Sequence, residues 1–184
     1  MILLGVTGSI AAYKAAVIVR QFIKMGKEVH VMMTEAATHF VGPLTFQALS
    51  GRPVLTHPLD PKGYQMAHLQ LAERAEAVLI APATAESLSQ LARGGAGDLI
   101  GAAVLSVPRT AAGRLSIPVF LAPAMHEAMW RHPATRDNVK RLQAYGYELI
   151  GPERGALGRF GDEGEGRMTE PEALVSAVLK SLAK

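Results

Sequence analysis

Short apolar runs alternate with longer segments of helical periodicity along the first part of the chain. Ile2–Val6 is an apolar run of strand length, residues 10–25 have helical spacing, and Val29–Met33 is a second apolar run that stops at Thr34. Two short strands joined by one helix run parallel, because the helix carries the chain back across the sheet. The pattern therefore predicts a βαβ unit at the start of the chain.

The same alternation continues to the last residues. We expect further strands over residues 77–81, 119–122 and 147–150, and helices over residues 38–50, 68–74, 82–92, 99–106, 134–145 and 171–182. This order predicts one doubly wound α/β domain over residues 1–184, Rossmann-like or flavodoxin-like, with three α/β/α layers around a parallel sheet. The Gly-rich, charged segment 151–168 interrupts the pattern. We interpret it as a flap, with a disordered excursion as the alternative.

Composition agrees with this architecture and narrows the function. Hydrophobic residues make up 49% of the 184 residues and aromatic residues only 5%, so small branched side chains must fill the core. The 19 Lys and Arg residues are scattered among 16 Asp and Glu residues, which disfavours nucleic-acid binding. Cysteine is absent, which excludes disulfides and thiolate metal sites. Residues 1–6 lack a basic leader, so we expect a cytoplasmic protein without a membrane span.

Three expected strand ends carry candidate chemistry. In an open α/β sheet, ligands collect beyond the carboxyl ends of the strands, where helix N-termini present free N–H groups. Gly8, Ser9 and Ile10 open the first helix and can bind a phosphate, although a plain turn with an N-cap explains them equally well. The segment is neither a G-x-G-x-x-G motif nor a P-loop.

The other two strand ends combine small, apolar and hydroxyl side chains. At residues 81–86, small residues allow a flat ring to approach the backbone and Thr84 offers a hydroxyl; a Pro-initiated helix with a Thr cap is the simpler reading. At residues 123–130, two Met residues and the single Trp follow a strand, a cluster more typical of a core than of a cofactor pocket.

Histidines are the remaining candidates for acid–base or metal chemistry. His68 lies at the front of an amphipathic helix and can act as a base near neutral pH, although a lone histidine is more often structural. His126 and His132 are six residues apart with no carboxylate at ligand spacing, so we assign no metal.

Taken together, these segments resemble the flavin-dependent cysteine decarboxylases, the family that includes phosphopantothenoylcysteine decarboxylase. The resemblance covers nearly the whole chain, and the combination is more specific than any single segment. Four stretches carry it: TGSIAAYK at 7–14, MTEAA at 33–37 with LTFQALSG at 44–51, APATA at 81–85, and PAM at 123–125 with MWRHPAT at 129–135.

The resemblance implies that FMN is the cofactor and assigns roles to individual residues. In this family the first turn holds the FMN phosphate, and the active-site histidine matches His68. The family assembles as trimers with flavin between subunits, so His68 is expected to serve a neighbouring subunit's cofactor. The implied residues are Gly8, Ser9 and Ile10 with Thr34 at the phosphate, Thr84, Ala85, Glu86 and Ala124 along the flavin, and Met129 with the flap at the substrate.

The implied reaction removes CO2 from a cysteine-containing acid. Flavin oxidation of the thiol to a thioaldehyde provides an electron sink, which makes decarboxylation accessible. We expect phosphopantothenoylcysteine as the substrate, in coenzyme A biosynthesis.

Two positions depart from the family pattern. His126 stands where the family has an Asn that holds the substrate carboxyl group; an imidazole can still donate a hydrogen bond there. Phe160 stands where pantothenate-type members have an acidic Cys. Without that acid, the reaction is expected to stop at an oxidised enethiol, or the substrate differs.

Alternatives remain open at this point. They are oxidative decarboxylation of a peptide's C-terminal cysteine and a non-catalytic, FMN-binding regulatory subunit. The chain ends at Lys184 without the synthetase domain of many bacterial relatives, which suggests a stand-alone paralogue. A nicotinamide-binding Rossmann domain, with Glu35 at the ribose, ranks low because the first turn lacks the glycine triplet.

Overall fold

A computed structural model describes residues 1–57, 67–159 and 161–183 of the chain, excluding the side chains of Ala67 and His68. The strands are β1 (Ile2–Val6), β2 (Val29–Met33), β3 (Ala77–Ala83), β4 (Val119–Pro123), β5 (Glu148–Leu149), β6 (Glu153–Ala156) and β7 (Glu163–Arg167). The helices are α1 (Ala12–Lys24), α2 (Glu35–Thr38), α3 (Pro43–Ser50), α4 (Ala67–Arg74), α5 (Ala85–Ala92), α6 (Leu99–Leu105), α7 (Glu127–Arg131), α8 (Pro133–Ala144) and α9 (Pro171–Leu182).

The first five strands form one parallel sheet in the order β2-β1-β3-β4-β5. This is the flavodoxin-like order, in which the direction of winding reverses between β1 and β3. The predicted doubly wound α/β fold is therefore confirmed. The order also places a topological switch point, where such sheets bind ligands, beyond the carboxyl ends of β1 and β3.

Side chains alternate between the two faces of the sheet and build one core on each face. Leu3, Val78 and Ile80 pack with α4, α5, α6 and α8 on one face. Ile2 and Leu4 pack with α1, α3 and α9 on the other. The central strands are buried on both faces, which explains their nearly continuous apolar runs.

Several predicted boundaries were wrong for local reasons. The helix expected over residues 38–50 covers only Pro43–Ser50, because Gly42 is its N-cap in an extended conformation and Pro43 begins it at the first position. Thr38 is instead the last residue of the separate helix α2. The strand expected over residues 77–81 continues to Ala83, with Pro82 inside it. The late strand is shortened to Glu148–Leu149, and α7 was not predicted.

The Gly-rich segment expected to be a flap forms an antiparallel hairpin of β6 and β7. We call residues 153–167 the hairpin. Within the described ranges, no helix is both long and apolar enough to cross a bilayer.

Candidate active site

The loops after β1 and β3 are tied together by one buried threonine. The Thr7 hydroxyl donates a hydrogen bond to the carbonyl oxygen of Pro82 at 2.8 Å and accepts one from the Thr84 N–H at 3.2 Å. Because Thr7 is only 1% exposed, these bonds replace all of its contact with water. The two loops that flank the switch point therefore have a fixed separation.

The turn from β1 into α1 is shaped by close contact with α2. A Cβ on Gly8 would lie 2.5 Å from the Cβ of Ala36, so any larger residue would push α2 away. Ser9 Oγ accepts from the Ala11 N–H at 3.3 Å, and the Ser9 carbonyl accepts from the Ala12 N–H at 2.9 Å. Among the described residues, none accepts a hydrogen bond from the Gly8 or Ile10 N–H, so both donors are available to a ligand.

Threonines cap the two helices that begin at neighbouring strand ends. Thr34 Oγ1 accepts from the Ala37 N–H at 3.2 Å at the start of α2. Thr84 Oγ1 accepts from the Ser87 N–H at 3.2 Å at the start of α5. Each threonine side chain bonds to the N–H group of the third residue after it. The N–H groups of the two residues in between are therefore left to face the strand ends.

The residues after β4 separate into buried and exposed side chains. Trp130 is buried in the core, and the Arg136 guanidinium lies 4.7 Å from its ring centroid. Met129 is 49% exposed and faces the strand ends. The expectation that this apolar cluster belongs to the core therefore holds for Trp130 and not for Met129.

His126 caps α7 through its ring. Its Nδ1 accepts from the Ala128 N–H at 3.2 Å, which leaves the proton of the neutral ring on Nε2. Nε2 lies 3.4 Å from Oδ2 of Asp162, near the tip of the hairpin. The imidazole is thus fixed as a donor directed toward the hairpin.

These segments enclose a cavity of about 490 Å³ beyond the carboxyl ends of β1 and β3, which we call the rim cavity. It lies at the switch point. Its lining includes most of the residues predicted from the sequence: Gly8, Ser9, Thr34, Thr84, Ala85, Glu86, Ala124 and Met129.

A second cavity of about 580 Å³ lies between the first turns of α1 and the hairpin, and we call it the hairpin cavity. Ile10 and His126 line this cavity and not the rim cavity. The two cavities share Ser9, Ala124 and Met125, so they adjoin at these residues and together form the cleft beyond the strand ends. One elongated ligand can therefore occupy both.

Glycines allow the hairpin to pack closely on the body of the protein. The Met125 N–H donates to the carbonyl oxygen of Gly166 at 3.0 Å, and a Cβ on Gly166, whose φ is +135°, would overlap the Met125 carbonyl oxygen. A Cβ on Gly164 would lie 2.8 Å from the Glu127 carboxylate. The base of the hairpin is thus anchored to β4 and α7.

An ion-pair network closes one side of the hairpin cavity. Lys14 Nζ lies 2.9 Å from a carboxylate oxygen of Glu170, and Arg167 contacts Glu153 at 3.1 Å and Glu170 at 3.5 Å. The hydrogen bond from Lys14, assisted by the charges of Lys14 and Arg167, holds the pKa of Glu170 below its ordinary value. Glu170 therefore stays ionised beside the cleft at neutral pH.

The structure does not describe the side chains of two predicted site residues. His68 falls in α4, but its side chain lies outside the part of the chain that the structure describes, as does Phe160 entirely. Their roles stay predictions. Conversely, the sequence reasoning missed Gln90 and Asp98, which line the rim cavity, and the charged residues Lys14, Arg159 and Arg167 of the hairpin cavity.

Comparisons with known proteins agree with this geometry. The Flavoprotein family model matches residues 1–183. The chain is 44% identical over 176 residues to the coenzyme A biosynthesis bifunctional protein CoaBC of Vibrio cholerae and 42% identical over 180 residues to CoaBC of Mycobacterium tuberculosis, each time over 95% of this chain. It spans only 42% and 40% of the lengths of those relatives.

Solved structures give the same answer. A mutant of PPC decarboxylase complexed with pantothenoylaminoethenethiol superimposes with a TM-score of 0.83 at 27% identity, over 100% of this chain and 98% of that one. The FMN-dependent cysteine decarboxylase SpaF superimposes with a TM-score of 0.80 at 30% identity, over 100% and 97% of the two chains.

The sheet order and the cleft at its switch point define a ligand-binding α/β protein. With the sequence matches, they show that the chain belongs to the flavoprotein family, among the flavin-dependent cysteine decarboxylases. The resemblance first noted in the sequence is therefore confirmed.

Proposed function

We propose that this chain is an FMN-dependent decarboxylase that acts on phosphopantothenoylcysteine in coenzyme A biosynthesis. The observation that carries the proposal is the convergence of four strand-end segments on one cleft at the switch point, in a chain 44% identical to CoaBC. SpaF, a cysteine decarboxylase of the same fold, supports the reaction type.

The rim cavity, together with the adjoining turn that precedes α1, fits FMN on two observations of this chain. The Gly8 and Ile10 N–H groups are open at the start of a 13-residue helix, an arrangement that binds phosphate. The volume of about 490 Å³ lies within the range of cofactor pockets. Ser9, Ile10 and Thr34 would hold the phosphate with Gly8, and Thr84, Ala85, Glu86 and Ala124 would line the flavin.

For Glu86, the backbone and not the carboxylate is the suitable group. Its carboxylate is exposed and lies 3.4 Å from the Arg93 guanidinium. The N–H groups of Ala85 and Glu86 precede the capped Ser87 N–H and present donors to a polar ring edge. When bound, FMN supplies an electron acceptor for the substrate thiol, which makes loss of CO2 accessible.

His126 would hold the substrate carboxylate. Its Nε2–H is fixed as a donor by the Ala128 N–H, and it lies beside Met125 where the two cavities meet. The Asp162 carboxylate lies 3.4 Å from this donor, so a substrate carboxylate would take the place of one already there. This replacement conserves the charge at the imidazole, and the displaced Asp162 carboxylate regains water as the substrate carboxylate loses it, which offsets part of the desolvation cost.

His68 would act as the proton-handling group, and Met129 and the hairpin would enclose the substrate. The family resemblance supports the role of His68 and its position in a neighbouring subunit's site. Exposed apolar side chains support assembly into a trimer or into larger groups of trimers: Ile10 in the turn before α1, Tyr13 and Val17 on α1, Phe40 between α2 and α3, and Leu44 on α3. Light scattering that gives a monomer mass at micromolar concentration would contradict this assembly.

Turnover tests the proposal directly. Purified protein is incubated with phosphopantothenoylcysteine, and the products are analysed by mass spectrometry. We expect a product lighter by CO2. Because the chain has no cysteine, we expect the enethiol, lighter by a further two hydrogens, as the main species, with dissolved oxygen in the assay accepting the two electrons from the reduced flavin after each turnover. Intact substrate with a yellow protein would favour a non-catalytic FMN-binding subunit, and turnover only of a peptide ending in cysteine would favour the peptide decarboxylases.

A further inference from the structure

The hairpin cavity contains a cation that the ion-pair network does not neutralise. Lys14 and Arg167 are balanced by the carboxylates of Glu170 and Glu153. Arg159 lines the same cavity and forms no ion pair with any residue in the described ranges. The charged side chains that line this cavity, with their ion-pair partners, therefore carry an excess positive charge.

Packing of the hairpin tip holds Arg159 close to α1. A Cβ on Gly158 would lie 2.7 Å from Cγ2 of Ile10, so the residue before Arg159 rests directly on the turn that precedes α1. The backbone carbonyl of Arg159 accepts from the Asp162 N–H at 3.1 Å. The backbone at Arg159 is thus held beside the cavity by contacts on both sides.

Apolar side chains also line the hairpin cavity. Ile10, Tyr13 and Leu157 are among them, and Ile10 and Tyr13 are each 57% exposed. His126 lines the same cavity and follows Met125, which lines both cavities. A ligand that complements this lining carries an anionic group for each of Arg159 and His126 and an apolar or amide-containing part.

We propose that Arg159, supported by Lys14, binds the terminal phosphate of the decarboxylase substrate, while His126 receives its carboxylate. The inference rests on the proposed function, because it assigns the second end of that substrate. A guanidinium suits a phosphate monoester because its planar fork donates two parallel hydrogen bonds. Arg159 is then a specificity residue that distinguishes phosphorylated from dephosphorylated substrate.

The test compares phosphopantothenoylcysteine with pantothenoylcysteine in steady-state kinetics. Wild type should have the lower KM for the phosphorylated form. Arg159→Met should raise that KM about tenfold, the loss of one charged hydrogen-bond pair, and leave kcat and the KM of the dephosphorylated form unchanged. Arg159→Lys should restore part of the preference.

Arg154→Met is the matched control, since Arg154 is an exposed arginine of the same hairpin that does not line the cavity. It should leave both KM values unchanged. An equal effect of Arg154→Met, or an Arg159→Met effect of the same size on both substrates, overturns the proposal. The flavin absorbance of each variant should equal that of wild type; loss of flavin on Arg159→Met would assign Arg159 to the cofactor's phosphate and also overturn it.

A binding measurement separates this inference from the proposed function. Titration calorimetry with 4′-phosphopantothenate and pantothenate, which lack the cysteine, needs no turnover. If the phosphorylated fragment binds more tightly, Arg159→Met removes that preference and no substrate is decarboxylated, the proposed function is contradicted and the phosphate subsite is supported. If wild type decarboxylates both substrates with equal KM, the phosphate subsite is contradicted and the proposed function is supported.

Discussion

Residues at the strand ends have two tasks, to pack the loops and to leave donors for a ligand. Gly8 does both, because its missing side chain admits Ala36 at van der Waals distance and its N–H group is not used by a described residue. Thr7 and Thr84 fix the adjacent loop by hydrogen bonds. The donors are thus in place before a ligand arrives, which lowers the cost of binding.

Ser9→Asp tests the phosphate position. A carboxylate there would face the same N–H groups as the phosphate and repel it, so we expect at least about tenfold weaker FMN binding. Ser9→Ala, which removes only the hydroxyl, should retain most of the flavin. The measurement is the ratio of flavin to protein absorbance after gel filtration, with circular dichroism to show that both variants fold. A fully yellow Ser9→Asp protein would remove Ser9 from the site.

Some site residues are predictable from sequence and others are not, for a physical reason. Gly8, Thr34, Thr84 and Ala124 follow apolar strands directly, so the carboxyl-end rule brings them together. Asp98 and Gln90 reach the rim cavity only through the packing of α5 against α6. A tertiary contact of that kind leaves no periodic signal in the sequence; the Gly-Asp step before α6 indicates only an N-cap.

At the scale of elements, the hairpin determines the shape of the cleft. Its strands contain Gly, Glu and Arg and lack the alternation of apolar and polar residues that identifies a half-buried strand, so the sequence indicated only a loop. The structure stabilises it through main-chain hydrogen bonds and glycine contacts with β4 and α7. The late start of the helix expected over residues 38–50 was predictable, because Pro is favoured at the first position of a helix and Pro43 follows Gly42 directly.

Gly166→Ala tests whether the hairpin is anchored through this contact. The added Cβ would overlap the Met125 carbonyl oxygen at a positive φ, which should cost about 2 kcal/mol and detach β7. Limited trypsin digestion should then cleave after Arg159 faster than in wild type. Gly97→Ala is the control, since no described atom lies within 4 Å of its Cβ. Equal digestion of the two variants would refute the anchoring contact.

Glu170 links the hairpin to α1 in a pH-dependent way. Because Lys14 lowers the pKa of Glu170 in the folded state, the ionised carboxylate stabilises the fold above its ordinary pKa of 4.5, and this contribution is lost as the pH falls further. Glu170 is partly exposed, so we expect at most about 1 kcal/mol. In urea titrations, Glu170→Gln should be less stable than wild type at pH 7 and equal to it at pH 3. The control is Glu172→Gln, which removes a carboxylate charge but keeps an oxygen that can accept from the Gln21 amide; it should show a smaller difference between pH 7 and pH 3. A constant difference across pH for Glu170→Gln would contradict the ion pair.

At the scale of the whole molecule, the strand order determines where chemistry occurs. The reversal of winding between β1 and β3 separates α1 from α5 and opens a crevice at the carboxyl edge of the sheet. The sequence predicted the class of fold because its βα alternation is regular, but the order of strands depends on which neighbours pair, which periodicity does not encode. The family resemblance supplied what the pattern could not, the identity of the ligand.

The most direct measurement of the central claim is the absorbance spectrum of the purified protein, before and after incubation with FMN and gel filtration. If FMN binds in the rim cavity, the protein should be yellow and show the absorbance bands of a flavin. The ratio of flavin to protein absorbance should correspond to about one FMN per chain, as for a single pocket per domain. A colourless protein that takes up no FMN would contradict the account, since the open N–H groups beyond β1 would then serve another ligand.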